Sequence, residues 1–210
     1  MQLGKLIGYG FAVALLAAVS VSAQTGSQSS SGGSSSSSMS ANASGSLATS
    51  DKHFMSKAAQ GGLAEVQLGQ LAQQNGSNSA VKEFGQKMVS DHTQANNELM
   101  SVAQQKGMTP PTDLDTHDKT AKDKLSKLQG AEFDKAYMQH MVKDHEKDVA
   151  EFRKEAQNAK DPDVKAFAQK TLPILEQHLQ MARTVASQVG VASSSTAGGT
   201  SDKSASSQQK

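Results

Sequence analysis

Residues 81–102 read VKEFGQKMVSDHTQANNELMSV. Val81, Phe84, Met88, Ala95, Leu99 and Val102 recur in steps of three and four once His92 is counted with them. That period places all seven on one face of an α-helix, and an apolar face turns inward. His92 is therefore a polar ring set into a greasy seam. Three other stretches repeat the pattern. Phe54, Ala58, Gly61, Leu68 and Ala72 flank Glu65; Phe133, Tyr137, Met141, Val149 and Phe152 flank His145; Phe167, Thr171, Leu175, Ala182 and Val185 flank His178. No stretch alternates as a strand would, so the chain reads as all-α.

The breaks between seams set the topology. Asn75-Gly76-Ser77-Asn78 ends a first predicted helix of residues 51–74, with Asn78 or Ser79 able to cap the second, which runs to Gly107. Pro110-Pro111 opens a crossover, in which Thr112 to Asp115 resembles the start of a short helix ending near Gly130. A third helix is predicted over residues 131–159. Asp161-Pro162, a cap followed by proline at the first helical position, starts a fourth that reaches Gly190. Pro173 within it should remove the amide bond to the carbonyl of Gln169 and kink the helix. Short turns force antiparallel neighbours. Two hairpins joined by a long crossover give the plan of a ferritin-like four-helix bundle, with a short crossover helix between helices two and three. Met-Val-x-Asp-His occurs twice, at residues 88–92 and 141–145, a faint internal echo.

Glu65 and His92 lie roughly 17 and 23 Å from the first hairpin turn, and His145 and His178 roughly 23 and 26 Å from the second. In helices about 40 Å long those heights fall near the middle, so one polar layer holding all four is expected.

The ends carry different signals. Lys5, the apolar run Leu6 to Ala18 and the small residues Val21-Ser22-Ala23 read as a secretory signal peptide cleaved after Ala23. Export to a periplasm is expected, with no transmembrane span in the mature protein, since the apolar run falls short of roughly 20 residues. There is no cysteine, which excludes disulfides, thiolate ligands and a lipidated cysteine. Residues 24–50 form a Ser/Gly-rich leader and 191–210 a similar tail, both expected to be disordered around one domain at 51–190. A net charge of +1 gives no support for nucleic-acid binding. Aromatics are only 4% with no Trp, so the core must be aliphatic and rich in Met, which suits helices.

Ala59-Gln60-Gly61-Gly62-Leu63-Ala64-Glu65-Val66, Met88-Val89-Ser90-Asp91-His92, Ala131-Glu132-Phe133-Asp134-Lys135-Ala136-Tyr137 and Thr171-Leu172-Pro173 resemble motifs of a family of exported bacterial domains of unknown function. The resemblance spans residues 51–189 and implies a ferritin-like fold, without a settled activity. The family is often labelled an outer membrane protein, but neither amphipathic strands nor a lipid attachment site accompanies that label here.

Imidazole and carboxylate are ordinary ligands for zinc, iron, manganese and copper. Glu65, His92, His145 and His178 are the candidate set for one transition-metal ion. Asp91 and Asp144, each beside a histidine, stand to orient imidazoles or to join as ligands. Met88 and Met141 precede histidines by one turn; their thioethers suit Cu(I), or they are simply core filler. A di-iron centre would want Glu-x-x-His motifs. Val89, Val142 and Leu175 stand at those positions instead, which argues against ferroxidase or oxygenase chemistry. The reading without a metal is a buried hydrogen-bond network among the four groups.

The sequence alone puts that network first, in an exported, non-catalytic bundle protein with an envelope or stress role. The alternative is a periplasmic protein binding copper, zinc or iron. His53, His117 and His140 read as incidental, and the charged runs 119–127 and 146–154 as solvated faces. No nucleophile with its base, phosphate loop or nucleotide fingerprint is present, and protein partners are not indicated.

Overall fold

The computed structural model describes residues 46–191. The stretch expected to be a signal peptide, most of the expected leader and nearly all of the expected tail lie outside the described residues. Five helices follow in order: α1 Thr49–Asn75, α2 Ser79–Gln105, α3 Thr116–Leu125, α4 Gly130–Asn158 and α5 Pro162–Gln188. There is no strand among the described residues, and no helix among them is long and apolar enough to cross a membrane.

Local chemistry sets the boundaries. Asn78 Oδ1 accepts from the Ala80 amide at 2.8 Å and caps α2; Asp161 accepts from Asp163 and Val164 and caps α5 ahead of Pro162. Gly107 at φ 64° and Gly190 at φ 78° adopt the left-handed conformation just past α2 and α5, where a side chain would be strained. The crossover helix begins later than its sequence suggests, at Thr116. Asp115 is its cap, with Oδ1 accepting from the Asp118 amide at 2.9 Å, and residues 112–114 stay non-helical. Helix α5 continues through Pro173.

α1 runs along α2 and α4 along α5, and the two hairpins meet through α2 with α5 and α1 with α4. The α1–α2 approach is set by glycine. A methyl group on Gly69 would stand 2.5 Å from the Gly85 carbonyl oxygen, and one on Gly85 2.7 Å from Ala72 Cβ.

Two buried carboxylates then clasp the hairpins together. Asp134, in the first turns of α4, accepts from the Ser77 and Asn78 amides and the Ser77 hydroxyl in the α1–α2 turn. Asp51, in the first turn of α1, accepts from the Lys160 and Asp161 amides in the α4–α5 turn. One sequence interval relates Asp51 to Asp134, Ser77 to Lys160, Asn78 to Asp161, Val81 to Val164 and Phe84 to Phe167. The hairpins are thus related as α1 to α4 and α2 to α5. The Met-Val-x-Asp-His pair, on α2 and α4, is out of that register.

The core divides into two apolar clusters. Phe54, Phe152 and Phe167 form the centre of one, with Leu99 and Leu175; Phe54 and Phe152 meet edge-on at 4.9 Å. Phe84, Phe133, Tyr137, Met88 and Met141 form the other. Leu47, which the sequence places in the leader, is buried in the first cluster, and α1 begins at Thr49, inside the expected leader. Along α1, α2 and α4 the change of cluster falls at Glu65, His92 and His145; on α5 it falls just past His178, between Leu179 and Ala182. A polar layer cuts the core in two.

Candidate metal centre

Each of the four residues is supplied by a different helix at the seam position its spacing dictates. Glu65 and His145 are completely buried, and His178 and His92 are 1% and 6% exposed. One ring nitrogen from each of His92, His145 and His178 lies within 4.8 Å of the others. The ring centroids are 5.4 to 5.9 Å apart. Glu65 stands outside this tight group, with Oε1 at 3.6 Å from His145 Nδ1.

The outward nitrogens are held. His145 Nδ1 faces the Met141 carbonyl oxygen at 3.0 Å, and His178 Nε2 faces Asp91 Oδ2 at 2.8 Å. A carbonyl and a carboxylate only accept, so each of these nitrogens donates its proton. The lone pairs then fall on His145 Nε2 and His178 Nδ1. Both atoms are buried without a partner, as is His92 Nε2. Asp91 is fixed in turn by Lys87 Nζ at 2.8 Å. Burial opposes its ionisation, yet the hydrogen bonds from Lys87 and His178 bring it below the ordinary aspartate value. Fixing a ligand imidazole through its far nitrogen is how proteins orient metal-binding histidines.

The electrostatics keep the rings neutral. Burial, reinforced by His145 and His178, holds His92 well below the usual imidazole range. Burial, helped by His178, pushes His145 down to about 4. Burial also lowers His178, with Asp91 acting against it. Glu65 is pushed well above the usual carboxylate range by burial, with the charges of Asp144 and Asp148 adding to it. Neither Glu65 oxygen has a hydrogen-bond partner, nor does the hydroxyl of buried Tyr137, whose phenol is held up by burial and by Glu65.

Three neutral donor atoms held within 4.8 Å can surround a small cation. Some point lies within about 2.8 Å of all three, and moving each ring under about 1 Å reaches the 2.0–2.1 Å of an imidazole–zinc bond. Met88 and Met141 take their places in the second apolar cluster. Asp144 is half-buried and lines a cleft that reaches His92.

Spacing did not single out Tyr137 as a polar group, because its ring reads as core. It also missed Asp148. That residue follows His145 by three on α4 but sits in a run that looks solvated; it is half-buried and lines the same cleft. His117 and His140 stack at 6.2 Å between α3 and α4, away from the triad's tight group.

The profile of a family described as "Domain of unknown function (DUF4142)" matches residues 36–185, most of the chain and all four polar-layer residues. The chain belongs to that family. No curated protein sequence matches it. Among solved structures it is similar to the "Crystal structure of DUF305 fragment from Deinococcus radiodurans", with a TM-score of 0.61 and 12% identity. That match covers 69% of this chain and 99% of the other. At such identity the likeness shows a shared helical fold and says nothing of chemistry. The family's description assigns no activity, so a functional reading rests on the polar layer.

Proposed function

We propose that this chain is a ferritin-like four-helix bundle that binds one transition-metal ion at His92, His145 and His178. Glu65, held neutral by burial beside His145 in the metal-free protein, would become a counter-charge or fourth donor only by giving up its proton to a bound cation. One observation carries the reading: three buried imidazoles from three helices stand close enough for one ring nitrogen of each to lie within 4.8 Å of the others, and each ring keeps an unpartnered nitrogen. A buried polar atom without a partner is costly, and a cation satisfies three of them at once. A hydrogen-bond network, the reading that sequence alone puts first, shares the His178–Asp91 bond with this one; the grouping of three imidazoles favours the ion. Zinc, copper and iron all suit imidazole, so the donor set names a class of ion.

The role is binding rather than turnover of an organic substrate. The cleft reaching His92 holds about 40 Å³, against the roughly 300–1,000 Å³ of a small-molecule site. The pattern of Lys5, Leu6 to Ala18 and Ala23 supports export to the periplasm, and Asp91 is the carboxylate that orients a ring of the site, that of His178. An envelope or stress-related role rests on the family resemblance.

The test is elemental analysis of the protein prepared without chelators and reconstituted with zinc, copper or ferrous iron. About one equivalent of one of them should remain on the wild type after desalting and be lost in His145→Ala. A wild type that retains none overturns the reading.

A further inference from the structure

We propose that the cleft between α1, α3 and α4 is the loading route of the histidine triad, built to pass a hydrated divalent cation and to turn away anionic metal complexes. This rests on the metal-binding reading above. Five carboxylates line the cleft: Asp115, Asp118, Asp144, Asp148 and Glu151. Lys57 and Lys147 are the lysines on its wall, and Lys57 is already paired with Asp115 at 3.0 Å. Burial, with the charge of Asp144 adding to it, pushes Asp148 up to about 8, so at neutral pH the net negative charge of the wall rests on the other carboxylates, of which Asp118, Asp144 and Glu151 stand against Lys147. The carboxylates do not stand alone, because His92 lines the same cleft. Its side chain is more than nine-tenths buried and its Nε2 has no partner. One member of the triad thus faces the passage whose walls attract cations.

The dimensions suit an ion and exclude most else. A volume of about 40 Å³ leaves space for roughly three waters at about one probe sphere each. A cation that keeps part of its hydration shell fits; a chelate or an organic anion does not. A cleft of one sign with apolar walls, here Phe54, Phe152 and Phe167, focuses the field and raises the local concentration of the opposite charge. The crossover helix supplies the outer lip through Asp115 and Asp118. It is tied to α1 by the Lys57–Asp115 pair and by Lys122 Nζ donating to Gln67 Oε1 at 2.8 Å.

Stopped-flow loading of aqueous Zn2+ and Co2+ into the metal-free protein tests this. In the double variant Asp118→Asn with Glu151→Gln the association rate constant should fall about tenfold, within the range known for electrostatic steering. Stoichiometry should remain that of the wild type. The charge-preserving double variant Asp118→Glu with Glu151→Asp should load at nearly the wild-type rate. Wild-type loading should slow as salt is raised, a readout that needs no variant. Wild type that binds metal at a rate indifferent to salt and to both variants overturns the loading route and leaves the triad standing. Wild type that binds no metal overturns both.

Discussion

Asp91 Oδ2 accepts a hydrogen bond from His178 Nε2 at 2.8 Å, across from α2 to α5. The aspartate beside one triad histidine therefore aims another, on the neighbouring hairpin. Asp91→Asn removes the charge that fixes the His178 tautomer. Metal affinity should fall about 10- to 100-fold, the usual effect of removing such an orienting group. Competition with a chelator of known affinity measures it. Unchanged affinity would mean that His178 is not a ligand.

Acid should destabilise the metal-free protein. The unfolded imidazoles take up protons below about pH 6.5. Folded His145 resists down to about 4, and His92 and His178 are lowered too. In that window the unfolded state binds more protons, so stability falls as pH falls, by up to about 1.4 kcal/mol per pH unit for each group. Urea unfolding between about pH 7 and about pH 5 reads the slope.

Glu65 acts with the opposite sign. Its folded pKa is raised, so above the unfolded carboxylate value the unfolded state sheds a proton that the folded state keeps, and stability is lost as pH rises. Glu65→Gln removes that loss. The metal-free variant should gain on the wild type by up to about 1.4 kcal/mol per pH unit above about pH 4.5, until the folded carboxyl ionises. Their stabilities should converge in acid. Parallel pH profiles for the two would show that Glu65 is ionised in the folded protein.

The clasps are a stability element separate from the centre. Asp51→Ala or Asp134→Ala leaves turn amides of the opposite hairpin without an acceptor. Each should cost about 1.5–3 kcal/mol, the range for hydrogen bonds to a charged group. Metal stoichiometry should not change. Thermal unfolding and calorimetry on the same samples separate the two effects.

The helices and the four seam residues were legible because a 3.6-residue period shows directly which face is buried. The chemistry of the centre was less so. Spacing places His145 and His178 on the inner face, but it does not say that Met141 and Asp91 engage one nitrogen of each ring and leave the other free. Nor does it separate Glu65, next to His145, from the tight group of three. Asp51 and Asp134 look like ordinary first-turn acids, and only the packing of each helix start against the far turn makes them buried acceptors. The acidic cleft depends on where α3 settles between α1 and α4, which no local pattern in residues 116–125 encodes.

Calorimetric titration of metal-free wild type with Zn2+, Cu2+ and Co2+ at neutral pH, beside His92→Ala and His178→Ala, decides whether the three imidazoles hold an ion. Saturable heat with a stoichiometry near one is expected for at least one of these ions, with loss of that binding in both variants. Their helical circular dichroism should remain that of the wild type. Absence of heat from all three ions in the wild type, or equal binding by the variants, would contradict this expectation.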